Sequence, residues 1–214
     1  MLFRSWNEYE IELNKRLGID NQLVRALGNK ARRDPKRVVF ADAENTNVLK
    51  AAQIALDEGI AIPILLGTPD IIKSLAEEHN ISIEGIQIIN PKSQEEKQIR
   101  KKYGEVFFKK RQRRGVNSQE VDKLMRDRNH FGCMMVEMGD ADAMISGLSR
   151  NYPDTIRPAI QIIGKEEGVC KIAGMYIMLT KKGPLFLADT TVNFNPTSEE
   201  LADITLLEIG RAHV

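Results

Sequence analysis

The chain has 214 residues, 42% of them hydrophobic and 29% charged, with a formal net charge of +1. These proportions are typical of a globular protein and exclude an intrinsically disordered chain, and the balanced charge offers no overall attraction to nucleic acid. No stretch is apolar for long enough to span a bilayer, and the amino terminus lacks a signal-peptide pattern. We therefore expect a cytoplasmic protein with neither nucleic acid nor membrane as a partner.

Residues 1–35 carry apolar side chains at helical spacing, which predicts a helical segment that ends before Asp34-Pro35. The apolar positions of this segment are Tyr9, Leu13, Leu17, Leu23, Ala26 and Leu27.

Strands and helices alternate from residue 36 onward. The predicted strands are 37–40, 61–66, 86–89 and 143–145, and the predicted helices are 46–59, 69–79, 95–114, 118–128 and 130–138. This alternation favours an α/β protein with three α/β/α layers and a mainly parallel sheet.

The last third of the chain predicts a hairpin and a helix. Residues 171–179 and 185–188 flank a Lys-Lys-Gly-Pro turn, and Thr197 and Glu200 have the capping-box spacing that begins a helix. Cys133 and Cys170 are expected to be buried, reduced thiols. The three histidines share no metal-ligand spacing, so we predict no metal site.

The segment SGLSRNYPDTIRPAIQIIG, residues 146–164, is a polar loop that leads into an apolar helix. Because Pro158 disfavours helical geometry at Arg157, the helix should begin near Pro158 or be kinked there. Arg157 would then lie within about a turn of the helix start, where free amides favour anions, and its guanidinium could bind phosphate or carboxylate. The alternative is that Arg157 pairs with a nearby acid such as Asp154.

Three further acidic residues follow predicted strands. Asp42 and Glu44, at the carboxyl end of the first strand, could orient a substrate or cap the next helix. Asp189 could act as a general base or hold its loop through Thr190, Thr191 and Asn193.

The run KKRQRR, residues 109–114, places five cations at the end of a predicted helix. It could be a solvated helix end, a phosphate clamp or a nucleic-acid patch.

Four segments together resemble the phosphate acetyl/butyryl transferase family over roughly residues 20–208: FADAEN, NHFGCMMVEMGDADAMISG, SGLSRNYPDTIRPAIQIIG and FLADTTVNFNPTSEELADI. Stand-alone members usually carry a histidine-serine-threonine loop where this chain has Arg150, Asn151 and Tyr152. These residues instead resemble the form that is fused behind a malic enzyme, and the leading helix resembles its connector.

The resemblance implies a truncated phosphotransacetylase-like fold and a set of ligand-binding residues. Arg157 matches the arginine that contacts the acyl phosphate, Ser146 and Thr155 belong to its loop, and Arg113 or Arg114 falls near another cleft arginine. The predicted phosphate- or acyl-CoA-binding residues are Arg157, Ser146, Thr155, Asn151, Arg113, Arg114 and Asp189.

The resemblance also implies a domain organisation. Residues 1–35 would connect from an upstream malic-enzyme module, and residues 36–208 would form an incomplete phosphotransacetylase-like domain. Residues 209–214 break the apolar pattern of the last helix. A nucleotide sequence that resembles a common sequencing adapter can encode them, so we expect these residues to be a non-native tail. The family's catalytic serine, arginine and aspartate would lie beyond residue 214, so no catalytic residue is assigned and the chain itself is expected to be inactive as a transferase.

The implied parent is a cytoplasmic, homo-oligomeric enzyme that decarboxylates malate to pyruvate with NADP and Mg or Mn in its upstream module. In this chain the implied ligands are acetyl-CoA, acyl phosphate and phosphate, with no cofactor, and acetyl-CoA would regulate the parent. The alternatives are a stand-alone phosphate acetyltransferase and an oligomerisation module.

Overall fold

The computed structural model describes Trp6 and residues 20–165, 167–180 and 183–212. The chain divides into two compact units, one formed by Lys30–Gly164 and the other containing the described residues from Lys165 onward. In these described ranges, no helix combines the length and apolarity that crossing a membrane requires.

The first described helix, α1, is Asp20–Arg33, and its last turn carries Lys30, Arg32 and Arg33. It ends before Asp34-Pro35, as the sequence predicts. Cations at a helix carboxyl end suit the helix dipole. Tyr9, Leu13 and Leu17 lie outside the described residues.

Four parallel strands form the sheet of the larger unit: β1 (Lys36–Phe40), β2 (Ala61–Leu66), β3 (Gln87–Ile89) and β4 (Ala143–Ile145). Their order is β3-β2-β1-β4. Val39 of β1 is in register with Ile64 on one side and Met144 on the other. The predicted parallel sheet is confirmed, and β1 lies next to the strand that leads into the Ser146 loop.

Six helices accompany this sheet: α2 (Thr46–Asp57), α3 (Pro69–Glu78), α4 (Lys97–Arg111), α5 (Ser118–Leu124), α6 (Arg128–Glu137) and α7 (Tyr152–Ile162). The predicted boundary between α5 and α6 is wrong. The helix predicted over 118–128 stops at Leu124, because Asp127 has an extended backbone and its carboxylate caps a new helix that begins at Arg128.

Alternate residues of the strands pack into two separate cores. Val39, Ile64 and Leu66 join Tyr103 and Phe107 of α4 in one core. In the other core, Phe40 and Leu65 pack with Leu49 of α2 and Ile72 of α3. Because successive side chains of a strand point to opposite faces, both faces of the sheet are covered and the predicted three layers are confirmed.

The second unit contains the predicted hairpin, with β5 (Met175–Thr180) antiparallel to β6 (Gly183–Ala188). The turn residues Lys181 and Lys182 lie outside the described residues. The prediction that the first strand starts at Lys171 is wrong, because backbone groups of Ile172 and Gly174 bond to the side chains of Asn193 and Asp189.

The final helix, α8, is Ser198–Ala212. The predicted capping box is present: the Thr197 amide donates to Glu200 Oε2 at 3.0 Å, and the Glu200 amide donates to Thr197 Oγ1 at 3.3 Å. The foreign origin of residues 209–214 stays a prediction, as do the other domain boundaries.

The two cysteines differ in exposure. Cys133 is buried in the core, where burial raises the pKa of its thiol to about 12. Cys170 is exposed, so the expectation that both thiols are buried is wrong for this residue. Cys170 lies in a segment outside the helices and strands, two residues after the turn at Gly168.

Candidate functional site

Helix α7 begins at Tyr152, so the prediction of a start near Pro158 is wrong. Asn151 has the extended backbone of an N-cap, and Pro153 occupies the first turn, where proline is tolerated. Pro158 stands inside the helix. Arg157 therefore lies in the second turn, beyond the free amides of the helix start, and the contribution of the helix dipole there is small.

The loop between β4 and α7 is held by Asp42, which is 5% exposed. Asp42 Oδ2 accepts from the amides of Gly147 and Leu148 at 3.0 and 3.2 Å, and its carboxylate also accepts from the hydroxyl of Ser149. Burial alone would raise the pKa of Asp42, but these hydrogen bonds outweigh it and hold the pKa below its ordinary value. Asp42 is thus an ionised anchor for the loop.

The predicted capping role of the two acids after β1 is wrong. Asn45 caps α2, because its side chain accepts from the Asn47 amide at 2.9 Å. Glu44 accepts from the Thr68 amide at 2.9 Å and faces Arg128 at 3.2 Å. Both acids therefore organise the carboxyl edge of the sheet.

A second carboxylate, Asp127, joins the start of α6 to the same loop. Its Oδ1 accepts from the amides of Asn129 and His130 and lies 3.0 Å from His130 Nδ1. Its Oδ2 lies 2.6 Å from Nη1 of Arg150. Burial alone would raise the pKa of Asp127, but the bonds from His130 and Arg150 hold it well below its ordinary value.

A cleft of about 890 Å³ opens between these elements within the larger unit. Asn151 and His130 are among the residues that line it. Its basic side chains include Lys123, Arg150 and Arg157, and its acidic ones include Glu120, Asp127 and Asp154. Cavities of this volume accept ligands of cofactor size.

The two arginines of the cleft differ in their partners. Arg150 pairs with Asp127. Arg157 is exposed and, in the part of the chain that the structure describes, forms no ion pair with Asp154 or any other acid. The alternative interpretation of Arg157 as a structural partner of Asp154 is therefore not what the structure shows. Its guanidinium is available to an anion in the cleft.

The other predicted residues of this loop support it from outside the cleft. Ser146 donates to Oδ1 of the buried Asn129 at 2.8 Å, and Thr155 Oγ1 donates to the Asn151 carbonyl at 3.2 Å. Neither side chain lines the cleft, whereas Asn151 does. Their assignment as ligand contacts stays a prediction.

Arg113 and Arg114 lie on a short 3-10 turn, Gln112–Arg114, that follows α4. Both are exposed and neither lines the cleft, so their predicted ligand contact stays a prediction. Lys110 of the same basic run pairs with Glu137 and donates to the Ile162 carbonyl at 3.0 Å. Part of this run is therefore structural.

Asp189 lies in the other unit and holds its own loop. It accepts from the amides of Gly174, Val192 and Asn193 at 3.0, 3.1 and 2.7 Å. Burial would raise its pKa, yet the Gly174 amide and the Asn193 side chain lower it to about 2. This is the loop-holding role that the sequence offered as the alternative to a general base.

Sequence reasoning missed Arg150, Asp127 and His130. The available signal was an aspartate three residues before a histidine at a helix start, which is the spacing that lets one carboxylate cap the helix and reach the imidazole. Among the described residues, no three His, Cys, Asp or Glu side chains are grouped to hold a metal ion.

The family model described as "Phosphate acetyl/butaryl transferase" matches residues 22–213. A phosphate acetyltransferase of Helicobacter pylori is 33% identical over 84% of this chain and 34% of its own length. An NADP-dependent malic enzyme of Rhizobium meliloti is 34% identical over 86% of this chain and 24% of its own length. A Staphylococcus aureus phosphotransacetylase structure aligns with TM-score 0.77 and 30% identity, over 86% of this chain and 55% of its own.

The match over residues 22–213 shows that this three-layer α/β chain belongs to the phosphate acetyl/butaryl transferase family. The chain is homologous both to phosphate acetyltransferases and to a region of malic enzymes, and it spans only part of the length of these relatives.

Proposed function

We propose that this chain is the phosphotransacetylase-like domain of an NADP-dependent malic enzyme, and that its cleft binds acetyl-CoA as an allosteric regulator. The observation that carries the proposal is Arg157, an exposed guanidinium without an acidic partner among the described residues, in a cleft of about 890 Å³. A free guanidinium favours phosphate through charged, bidentate hydrogen bonds. The cleft volume suits a ligand much larger than phosphate itself.

The loop residues favour the malic-enzyme form over the stand-alone enzyme. Similarity to the two kinds of relative is nearly equal, so overall identity does not discriminate between them. The loop sequence discriminates between them, because its residues Arg150, Asn151 and Tyr152 resemble those of the form fused to a malic enzyme. In the proposed parent, NADP and Mg or Mn belong to the upstream module, where malate is decarboxylated to pyruvate. By the same resemblance the parent is cytoplasmic and homo-oligomeric.

A second candidate is a stand-alone phosphate acetyltransferase, which converts acetyl-CoA and phosphate to acetyl phosphate and CoA. The match to a solved phosphotransacetylase favours it. In that reaction a phosphate oxygen attacks the thioester carbon and the CoA sulfur leaves. Arg157 would hold the attacking phosphate, because an arginine offers charged donors without losing its own proton.

Replacing Arg157 with Ala should weaken phosphate and acetyl-CoA binding by about 1.5–3 kcal/mol, the typical worth of a charged hydrogen bond. Calorimetric titration of the purified chain measures this change. Arg126→Ala is the matched control, since Arg126 pairs with Asp122 on an exposed helix end and does not line the cleft. Equal affinity in the Arg157 variant and the control would refute the anion site.

Activity assays of the full-length gene product distinguish the two candidate functions. A regulatory domain predicts that acetyl-CoA changes the rate of malate oxidation and that Arg157→Ala abolishes this response. A transferase predicts formation of acetyl phosphate from acetyl-CoA and phosphate. A rate of malate oxidation that stays the same when acetyl-CoA is added would refute the regulatory proposal.

A further inference from the structure

We propose that Arg150 is a second phosphate-binding residue of the cleft, positioned by Asp127, and that it binds a different phosphoryl group from the one bound by Arg157. The ligand class is a CoA thioester, which carries more than one phosphoryl group. This inference rests on the proposed function, because both arginines would act on the same bound molecule.

Arg150 keeps donors for a ligand. Its guanidinium has five N–H groups, and the ion pair with Asp127 engages Nη1 at 2.6 Å. The side chain is 32% exposed and lines the cleft. No other partner of Arg150 is found within the described ranges of the chain. The remaining N–H groups are therefore available to a phosphoryl oxygen.

Asp127 holds this guanidinium in one place. Its Oδ1 is already engaged by the start of α6 and by His130, so the carboxylate cannot turn without breaking these bonds. Oδ2 is thus presented to Arg150 in a constant direction. A binding residue whose orientation is set by a second residue loses less conformational entropy when the ligand arrives.

The two arginines reach the cleft from different positions along the chain. Arg150 precedes α7, whereas Arg157 lies in its second turn. The helical residues between Tyr152 and Arg157 advance by about 7.5 Å along the axis. The cleft of about 890 Å³ has room for a ligand that extends over such a distance.

The test compares two probes, inorganic phosphate and CoA, by calorimetric titration of the full chain. The variants are Arg150→Gln, Arg157→Gln and Arg126→Gln, the last a matched control whose arginine forms an exposed pair with Asp122 outside the cleft. Circular dichroism of each variant establishes that it is folded.

The Arg150 variant should bind CoA at least about tenfold more weakly, the loss expected for one charged hydrogen bond, and phosphate as tightly as the wild type. The Arg157 variant should lose affinity for both probes, and the control for neither. Unchanged CoA affinity in the Arg150 variant, or an equal loss for both probes, overturns the role of Arg150 while leaving that of Arg157 intact. Failure of the wild type to bind either probe overturns the proposed function as well.

Asp127→Asn tests the positioning role, because the asparagine carbonyl can still cap the helix whereas its NH2 group cannot accept a hydrogen bond from Arg150. This variant should weaken CoA binding, and the double variant with Arg150→Gln should bind CoA no more weakly than Arg150→Gln alone. Losses that add in the double variant, or a loss of phosphate affinity in Asp127→Asn, would show that Asp127 only stabilises the fold.

Discussion

Asp42 is an ionised carboxylate at the end of β1, and three donors of residues 147–149 surround it. Two of these donors are backbone amides, so the carboxylate determines the path of the chain and not only the rotamer of Ser149. The loop that carries Arg150 leaves β4 in the direction that this carboxylate imposes. A residue outside the cleft lining thus shapes the cleft.

Replacing Asp42 with Ala should lower the free energy of unfolding by about 3 kcal/mol, because several donors lose their shared acceptor in a buried place. It should also weaken phosphate binding, since the loop that leads to Arg157 loses its anchor. Urea denaturation and calorimetric titration measure the two effects. Asp122→Ala, which removes an exposed carboxylate, should change neither by much. Identical unfolding curves for the two variants would contradict the anchoring role.

At this scale the sequence points to Arg157, which lines the cleft, but not to the neighbouring residues that line it with Arg157. Arg157 draws attention in the sequence because it follows a polar loop and its guanidinium suits phosphate or carboxylate. The ion pair of Arg150 with Asp127 joins residues on two different helix starts. No local pattern predicts such a contact, since it depends on how α6 and α7 pack.

Among the elements, α8 begins with a capping box, in which Thr197 and Glu200 form reciprocal bonds. Replacing Thr197 with Ala should lower the stability of this helix by about 1 kcal/mol, because the Glu200 amide loses its acceptor. Amide hydrogen exchange in residues 198–204 measures the change.

Thr205→Ala is the matched control for this prediction. Thr205 lies on the same helix, but its hydroxyl donates to the Leu201 carbonyl at 2.7 Å and caps nothing. Alanine also has the higher helix propensity, so this variant should be neutral or slightly stabilising. Equal protection in the two variants would refute the capping contribution.

Local rules fail for α7, where a proline suggests a boundary that the structure does not have. Pro158 removes one amide donor, and in isolation this favours ending or starting a helix nearby. Pro158 is buried and Ile162 packs in the core, so burial of the helix face outweighs the missing hydrogen bond. Tertiary packing of this kind cannot be seen in a local pattern.

For the whole molecule, both cores and the cleft lie within residues 30–164. A segment of this size with its own core is expected to fold independently. Expressed alone, residues 30–164 should unfold cooperatively and bind phosphate as tightly as the full chain. Circular dichroism and calorimetric titration test this, and a segment without a cooperative transition would contradict it.

The sheet and its layers are predictable because β1, β2 and β4 are short apolar runs between amphipathic helices. Their alternating side chains divide between two cores, and this division requires helices on both faces. The cleft is less predictable, because it forms where α5, α6 and the loop before α7 meet. That meeting depends on Asp127 and Asp42, whose partners lie far away in the sequence.

The contact of Asp42 with Gly147 also has a kinetic meaning, because 105 positions separate the two residues. Such a contact cannot form until β4 has paired with β1, and closing so long a segment of chain is slow. The anion site should therefore be among the last features to appear during refolding. Recovery of phosphate binding after dilution from denaturant would then report the completion of the sheet, later than the recovery of helical signal.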